Sequence, residues 1–335
     1  MKTFKPALLT VALASALALA APAQALEHLD AFYYNQNDNF ISQISAELKA
    51  QAREAGVTLH EFNAMDDLLV QNESIATAAA KGKQPMAINP VDTGGAQGVA
   101  DIVQKNGNPV IFFNRVPAAE VLASLDKAYY VGSESERSGT LQGELLASWL
   151  AKNPQADRNG DGVIALALIK GQSNHQDTAI RTSAALQALQ QSGIKTRVVF
   201  SQSGNWSYSS GHALMNAALT AQGATPIEAV LCNNDALALG AAAALQEQGF
   251  NLPQGNADKF IALLGIDGIA EARQAVQDGV MLGTVVQDAQ TQGKIIFTLA
   301  QLLADGKEIP LEIAGVKQQD KSFYVPFKAV VRESK

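Results

Sequence analysis

The chain has 335 residues, of which 47% are hydrophobic, and its formal net charge is −7. That length is more than one hydrophobic core usually holds, so two domains are expected. The acidic balance argues against nucleic acid or an anionic membrane surface as a partner.

The first 25 residues predict a secretory signal peptide. Lys2 and Lys5 give a positive start, residues 7–21 form a short apolar run, and the segment AQA at 23–25 supplies small residues for cleavage. The run is shorter than the roughly 18 to 20 residues of a membrane-spanning helix, so an anchoring helix is the less favoured interpretation. We expect an exported chain that begins near Leu26 and carries a charge of −9, because both lysines leave with the leader.

Cys232 is the only cysteine of the chain, so this exported protein has no disulfide of its own. It lies in the apolar stretch EAVLCNND, where a buried, unreactive core thiol is the favoured interpretation.

From residue 30 onward, short apolar runs alternate with longer amphipathic segments, which is typical of parallel sheets with crossover helices. The sequence therefore predicts an α/β protein with about five strands in each half. Candidate strands of the first half are DAFYYN, VTLHEF, PMAINP, PVIFFNR and AYYVG; those of the second are VIALALIKG, TRVVFSQ, AVLCNND, FIALLGID and LGTVVQD. Between the first two, residues 39–55 repeat apolar side chains at helical spacing and end at Gly56.

The two halves meet near YYVGSESERSG, where an apolar strand gives way to a polar stretch. LGTVVQD with the helix after it predicts a further strand-helix unit, and the closing FYVPFKAVV predicts another apolar segment. The chain is therefore expected to cross between the domains more than once, as in a hinge. We assign residues 26–133 and about 288–323 to an N-terminal lobe, and residues 134–287 and about 324–335 to a C-terminal lobe.

Polar side chains follow nearly every predicted strand. In open α/β sheets ligands bind beyond the carboxyl ends of the strands, so these positions predict a polar ligand site. Asx residues there are also common helix N-caps, and each one alone remains open to that interpretation. The residues are Tyr34, Asp38, Asn89, Asp92, Asn114, Arg115, His175, Asp177, Arg181, Trp206, Asn233, Asn234, Asp235, Asp267, Gln287 and Asp288.

Several motifs occur in an order that resembles one family over nearly the whole mature chain. They are NDNF, AINPVD, FFNR, KAYYVGSESERSG, HQDTAIR, the tryptophan of GNWS, GHALMNA and NNDALALGA. Together they resemble the periplasmic galactose/glucose-binding proteins, although NNDALALGA and GIDG also occur across the wider superfamily of pentose-binding proteins and repressors. The resemblance implies the type I periplasmic binding protein fold, with two doubly wound lobes joined by a multi-segment hinge.

The resemblance also implies that one hexose, D-galactose or D-glucose, binds between the lobes and that no reaction follows. Carboxylates, amides and guanidinium groups suit the hydroxyl edge of a sugar, and aromatic rings cover its C–H faces. The family pattern places hydroxyl partners at Asp38, Asn114, His175, Asp177, Arg181, Asn234 and Asp267, and stacking rings at Phe40 and Trp206. Tyr34 and Gln287, both at strand ends, complete the expected sugar site.

Two site positions depart from the family pattern. Gln287 stands where an asparagine is usual, and Arg115 stands where a lysine is common. The longer amide of Gln287 changes the contact with a hydroxyl, so a pentose or another small sugar remains an alternative ligand. About eight extra residues around FNLPQGNADKF are expected in a helix-strand connection away from the cleft.

Two alternatives from other classes are weaker. A secreted glycosidase would use a pair of carboxylates, and Asp38, Asp177 and Asp267 are candidates, but ligands around every hydroxyl leave no open end for a leaving group. A sugar-responsive repressor shares the fold, but it needs an N-terminal helix-turn-helix where this chain has an export signal.

The segment DRNGDGV at residues 157–163 has the spacing of the first half of an EF-hand loop. Asp157, Asn159 and Asp161 supply oxygens at positions one, three and five, and the Val163 carbonyl follows Gly162 at position seven. The second half of such a loop is missing. In the resembling family a distant glutamate completes the site, which implies Glu228 here, while Ala165 replaces a glutamine ligand. We expect one structural calcium ion, and an Asx/Gly turn without metal remains the alternative.

The expected partners follow from the same resemblance. They are a monosaccharide, an inner-membrane ABC-type sugar transporter and, as a further possibility, a chemoreceptor. We expect a periplasmic monomer.

Overall fold

The computed structural model describes residues 26–222, 227–253 and 255–332, so the predicted signal peptide lies outside the described residues. The strands of the first half are β1 (His28–Tyr33), β2 (Thr58–Asn63), β3 (Met86–Ile88), β4 (Val110–Phe113) and β5 (Ala128–Gly132). Those of the second half are β6 (Ile164–Lys170), β7 (Thr196–Ser203), β8 (Ala229–Cys232), β9 (Ala262–Asp267) and β10 (Gly283–Val286). The C-terminal strands are β11 (Glu312–Ile313), β12 (Val316–Gln319), β13 (Ser322–Tyr324) and β14 (Lys328–Val331).

Helices alternate with these strands. In the first half they are α1 (Asn39–Ala55), α2 (Leu68–Ala79), α3 (Ala96–Asn106) and α4 (Ala119–Ser124). They continue with α5 (Ser135–Lys152), α6 (Gln176–Gln191), α7 (Tyr208–Gln222), α8 (Asp235–Glu247), α9 (Ala270–Gln277) and α10 (Ala289–Ala304). Within the described residues, none of these helices has the length and apolar character needed to cross a membrane.

The strands form two sheets, each built on a parallel core. The first has the order β11-β12-β13-β5-β4-β3-β1-β2, and the second has the order β14-β10-β9-β8-β6-β7. Each of the ten candidate strands overlaps one observed strand, and the predicted α/β class is confirmed. The sequence patterns did not predict β11 and β12, which are short and pair antiparallel at the edge of the first sheet.

The chain passes between the sheets at three places. It leaves the first sheet after β5, it returns with α10, which packs on α1, and it crosses again between β13 and β14. The segment FYVPFKAVV is therefore not one element, because Pro326 lies between the two strands and proline cannot donate to a ladder. We call the first sheet with α1–α4 and α10 the first lobe, and the second sheet with α5–α9 the second lobe. The residue boundaries assigned to the lobes stay a prediction.

Helices lie on both faces of the two sheets, so the central strands are buried on both sides, whereas the edge strands β2 and β7 are partly exposed. In β1, Leu29 and Tyr33 pack toward α1 and α10, whereas Phe32 packs toward α2 and α3. Cys232 lies fully buried in the core of the second lobe, as expected, and burial raises the pKa of its thiol. The extra residues around FNLPQGNADKF join α8 to the amino end of β9.

Helices α5 and α6 of the second lobe approach each other closely along a face of small residues. Gly139 and Gly143 of α5 lie against the backbone of α6, and a Cβ at Gly143 would overlap the carbonyl oxygen of Ala185. This contact holds α6 in place, and α6 begins at the edge of the cleft.

Replacing this glycine tests the importance of the close approach. We expect Gly143→Ala to lower the free energy of unfolding by about 1 to 3 kcal/mol, because backbone atoms must move to admit the methyl group. The matched control is Gly98→Ala in α3, where the Cβ would meet nothing within 4 Å. That change should be neutral or stabilise the protein by up to about 1 kcal/mol, because alanine is the better helix former. Urea unfolding of the two variants gives the comparison, and equal stabilities would contradict the packing argument.

Candidate functional site

A cavity of about 320 Å³, partly open to solvent, lies between the carboxyl ends of the two sheets. All eleven residues expected at a sugar site line this cavity, and Ile41 joins them. The lining residues are Tyr34, Asp38, Phe40, Ile41, Asn114, His175, Asp177, Arg181, Trp206, Asn234, Asp267 and Gln287.

Helix N-termini place several of these side chains at the cavity. Asp38 caps α1, His175 caps α6 and Asn234 caps α8. Asp38 shows how one residue serves as both cap and lining group. Its Oδ1 accepts from the N–H groups of Phe40 and Ile41 at 2.8 and 2.9 Å, and its Oδ2 accepts from the Tyr34 hydroxyl at 2.7 Å. The capping and ligand-site interpretations are therefore compatible.

Three lining residues have a backbone conformation that side chains other than glycine rarely adopt. The φ angles are 61° for Asn114, 58° for Trp206 and 122° for Asp267. Such conformations cost free energy and persist only where surrounding structure imposes them, and they cluster at ligand sites. The backbone turns sharply at these strand ends to aim the three side chains into the cavity.

Arg181 is the centre of a buried polar network in the second lobe. Its guanidinium donates to the carbonyl of Asn233 at 2.8 Å, to Asp177 at 3.2 Å and to Gln287 at 3.3 Å, and it lies 3.8 Å from a carboxylate oxygen of Asp267. Buried charges are stable only when they are paired and hydrogen-bonded in this way. The network fixes the positions of three lining side chains relative to one another.

Burial raises the pKa of two carboxyl groups in the second lobe, Asp267 and Asp235. Burial raises the pKa of Asp267 well above its ordinary value, while the charge of Arg181 acts in the opposite direction. Directly behind it, burial raises the pKa of Asp235 to about 6, although hydrogen bonds from Thr284 and the N–H of Ile269 lower it. Hydrogen-bond donors on a ligand would favour the charged form of Asp267 and relieve its cost of burial.

His175 is held neutral, and its tautomer follows from its hydrogen bond. Its Nδ1 accepts from the N–H of Asp177 at 3.1 Å, so the ring proton is on Nε2. Burial lowers the pKa of His175 to about 3, although the nearby charge of Asp177 raises it. Nε2 is therefore a hydrogen-bond donor at the cavity over the whole neutral range of pH.

The aromatic side of the cavity is tightly packed. The ring of Trp206 meets the His175 ring edge-on at a centroid distance of 5.0 Å, and a Cβ at Gly171 would overlap the indole. Trp206 Nε1 and Arg181 Nε are buried with no hydrogen-bond partner among the described residues. Phe40 lines the same cavity from the first lobe. The indole is therefore held firmly enough to serve as a flat contact surface.

Some contacts that organise the site were not predicted. Asn89 donates to the side-chain oxygen of Asn114 at 3.3 Å, which leaves the Asn114 amide nitrogen free to donate to a ligand. Ser135, in the connection between the lobes, donates to Asp177 at 2.6 Å. The sequence identified the FFNR and SESERSG segments as polar, but it did not indicate these hydrogen bonds, because the partners are 25 and 42 residues apart.

Side chains join the two lobes beside the cavity without lining it. Gln172 of the second lobe donates to Asp66 at 3.3 Å and accepts from Arg115 at 3.2 Å, and both partners belong to the first lobe. The Arg115 guanidinium also stacks over the ring of Tyr34 at 3.7 Å. These contacts bridge the two lobes at one side of the cavity.

The remaining strand-end residues have supporting roles instead of lining the cavity. Asp92 accepts from the N–H of Gly94, Asp288 caps α10, and Asn233 accepts from the N–H of Gly171. Each satisfies backbone donors at a turn, which is the alternative that the sequence left open for such residues.

The predicted calcium loop forms a compact turn in the second lobe. The two carboxylate oxygens of Asp157 accept from the N–H groups of Gly160 and Gly162, at 2.9 and 2.8 Å. Glu228 is buried beside the loop, and each of its oxygens accepts a backbone N–H at 2.7 Å. The candidate ligand atoms suit calcium, because all are oxygens and each has a further lone pair available for a metal ion.

In the described structure, the carboxylates of this loop and of Glu228 are not close enough together to share one metal ion. Among the described residues, a cluster of three potential ligands close enough to share one ion is found elsewhere, at His28, Asp30 and His60. Asp157, Asp161 and Glu228 would have to close inward to hold calcium.

Comparison with known proteins gives the family. A family model described as a periplasmic binding protein domain matches residues 31–308, and the chain belongs to this family. It is 32% identical to the D-galactose/methyl-galactoside binding periplasmic protein MglB of Haemophilus influenzae, over 97% of this chain and 96% of that protein. The resemblance inferred from the sequence motifs is therefore confirmed.

More distant relatives share the architecture. The chain is 25% identical to the ribose import binding protein RbsB of Bacillus subtilis, over 83% of this chain and 82% of that protein. A solved ABC transporter solute binding protein from Bacillus halodurans, with bound myo-inositol, has a TM-score of 0.76 and 25% identity. The match covers 92% of this chain and 95% of that structure. The two-lobed type I fold is thus shared across proteins whose ligands differ.

The neutral state of His175 gives a test of the site's electrostatics. Its folded-state pKa is depressed, so its contribution to stability is fully present above the unfolded pKa of about 6.5 and is lost as the pH falls toward 3. We expect wild-type stability to fall relative to His175→Gln by about 1.4 kcal/mol per pH unit in that window. Urea unfolding at several pH values measures the difference. Titration of the His175 ring near its ordinary pKa, followed by NMR, would contradict the prediction.

Proposed function

We propose that this protein is a periplasmic receptor that captures one hexose, D-galactose or D-glucose, between its lobes and passes it unchanged to an ABC-type transporter. The observation that carries the proposal is the composition of the cavity. A belt of amide, carboxylate, imidazole and guanidinium groups surrounds a small space, and Phe40 and Trp206 provide aromatic surfaces. Such a lining matches a ligand with hydroxyls around its edge and C–H groups on its faces.

The charges of the lining favour a neutral ligand. Asp38, Asp177 and Asp267 line the cavity, whereas Arg181 is the one guanidinium of the lining and pairs with Asp177 and Asp267. An anionic ligand would meet uncompensated negative charge, and each unpaired group buried with it would cost about 1 to 3 kcal/mol. Hydroxyl groups can donate to all three carboxylates, so a polyol suits the site.

The unusual Gln287 is compatible with a hexose. Its amide oxygen accepts from Arg181 at 3.3 Å, which draws the longer side chain toward the guanidinium. The amide nitrogen then remains available to donate to a hydroxyl. The relative MglB, named for galactose and methyl-galactoside, supports the hexose. A pentose is the alternative, since the relative RbsB is named for ribose import.

Binding without catalysis is part of the proposal. The carboxylate oxygens of Asp38 and Asp177 already accept hydrogen bonds from the protein, and these bonds hold them as fixed acceptors. Recovery of the sugar unchanged after incubation with the protein is the expected result.

Closure around the sugar would create the signal that a transporter recognises. The contacts of Gln172 with Asp66 and Arg115 stabilise the closed arrangement, and a ligand that touches both lobes shifts the population toward it. We propose that the transporter, and also a chemoreceptor, bind the joint surface of the closed form. We propose that the predicted signal peptide directs export and that the protein acts as a monomer in the periplasm.

A titration of the mature protein with D-galactose, D-glucose, ribose, xylose and arabinose tests the ligand. We expect a hexose to bind at micromolar Kd or tighter, about 8 kcal/mol or more, and to change the tryptophan fluorescence. The chain has two tryptophans, which supplies a matched control. Trp206→Phe should abolish the fluorescence change, whereas Trp149→Phe, altered on α5 away from the cavity, should retain it. Saturable binding of a pentose alone would transfer the assignment to that sugar.

We also propose one structural calcium ion at residues 157–163 with Glu228 as the distant ligand. The other proposed ligands are Asp157, Asn159, Asp161 and the Val163 carbonyl. The ion would link the loop at residues 157–163 to the segment that contains Glu228. The cradle of backbone N–H bonds around Asp157 supports the proposal, because it pre-forms the turn of a calcium loop.

Thermal unfolding with calcium and with chelator tests this site. At calcium about 100 times the Kd, we expect the melting temperature to rise by about 5 °C. Asp161→Asn should remove the response, since it removes one ligand charge from an exposed loop residue. Asp278→Asn, an exposed change outside the loop, should retain it. An identical melting temperature in both conditions would mean that the backbone bonds of Glu228 hold the loop without metal.

A further inference from the structure

The amino end of β1 carries a cluster of side chains that the proposed sugar site does not use. It consists of His28 and Asp30 on β1 and His60 on the neighbouring edge strand β2. His28 and Asp30 are two residues apart on one strand, so they lie on the same face of the sheet. Asp30 is directly opposite His60 in the parallel register. The strand pairing itself therefore brings the three side chains together.

The ligand atoms of this cluster lie close to one another. Nδ1 of His60 is 2.8 Å from one carboxylate oxygen of Asp30, and Nε2 of His28 is 3.8 Å from the other. The two imidazole rings have a centroid distance of 5.1 Å, and all three residues offer ligand atoms within 4.8 Å of one another. Small rotations of the two rings would bring all three groups to the 2.0 to 2.2 Å bond lengths of zinc.

The burial of Asp30 points to a positively charged partner. Its side chain is only 7% exposed, and no lysine or arginine of the described chain lies within ion-pair distance of it. A buried carboxylate is costly unless it is paired, and its neighbours here are two imidazoles, the commonest metal ligands. The carboxylate thus has the environment of a metal ligand more than that of a structural ion pair.

The two histidines are exposed enough for an ion to reach the cluster from solvent. The side chains of His28 and His60 are 30% and 49% exposed, while Asp30 forms the floor between them. Below the cluster on the same face, Phe32 stacks on Phe62 with a centroid distance of 4.6 Å. The apolar pair closes the inner side of the cluster, so a fourth ligand would be a water molecule on the outer side.

We propose that His28, Asp30 and His60 bind one Zn²⁺ ion, with water as the fourth ligand. Two imidazoles and one carboxylate suit zinc in chemistry and number. The ion would tie the edge strand β2 to β1. It would lie roughly 13 Å along β1 from Tyr34 and would not contact a ligand in the cleft. The proposal does not rest on the sugar-binding function.

Zinc titration of the chelator-treated mature chain tests the proposal. The buffer contains calcium, which keeps the loop at residues 157–163 from taking up zinc, and is held near pH 7.5, at which unperturbed imidazole is about 90% neutral. We expect one Zn²⁺ per chain with a Kd below about 10 μM, a rise in melting temperature, and with Co²⁺ the visible absorption of a tetrahedral complex.

Variants identify the ligands. His28→Gln and His60→Gln keep a polar side chain of similar size beside Asp30, so the fold should persist, and each should weaken zinc binding at least about 100-fold, since even indirect support of a metal ligand is worth 10- to 100-fold. The matched control is His212→Gln, because His212 pairs with Glu247 at 2.8 Å in a two-residue surface pair of the second lobe. This control should bind zinc as the wild type does.

Three outcomes would overturn the proposal. They are wild-type binding weaker than about 10 μM, unchanged affinity in His28→Gln, or unchanged affinity in His60→Gln together with a loss in His28→Gln. The last result would place the ion on the amino-terminal segment around His28 instead of between the two strands.

Discussion

The buried guanidinium of Arg181 is the interaction on which the cleft depends. It bonds to Asp177 on its own helix and to a carbonyl of the strand end at Asn233, and it faces Asp267 and Gln287 from two further strands. A charge with so little solvent is tolerated only because each neighbour pairs with it. Four separate segments of the second lobe are therefore held in one arrangement before any ligand enters.

The guanidinium also links the cleft to the connection between the lobes. Asp177, which pairs with Arg181, accepts from Ser135 at the point where the chain enters the second lobe. The close contact of α5 with α6 runs from the same region, since the glycine at 139 lies against the backbone of Arg181. Asp177 therefore connects the cavity lining to the segment where the chain enters the second lobe.

The sequence patterns were sufficient for the ten strands of the two parallel cores and, together with the family resemblance, for the lining of the cavity. Strand ends in a parallel sheet all face one edge, so polar residues after apolar runs must converge there. Asp38, His175 and Asn234 were recognised because they follow predicted strands, and the structure shows that all three are also helix N-caps. Trp206 stood out as an aromatic residue in a polar loop.

What the sequence did not indicate depends on contacts between distant segments. Gln172 contacts Asp66 and Arg115 across the cleft, and Asn89 donates to Asn114. The strand-end pattern identified Asn89, Asn114 and Arg115, but it did not indicate which distant side chains they contact. The left-handed backbone at Trp206 and Asp267 is similarly imposed from outside, because local propensity disfavours it. The His28, Asp30 and His60 cluster depends on the register of β1 with β2, which periodicity alone does not fix.

The positions of the two proposed metal sites decide what they can do for ligand capture. The zinc cluster lies wholly on β1 and β2 of the first lobe, and the calcium loop with Glu228 lies wholly in the second lobe. A ligand that binds the open and closed forms equally shifts nothing between them, however tightly it binds. Each metal would therefore stabilise its own lobe without favouring closure. The cavity is lined from both lobes, so its ligand alone has contacts that exist fully only in the closed form and can supply the free energy of closure.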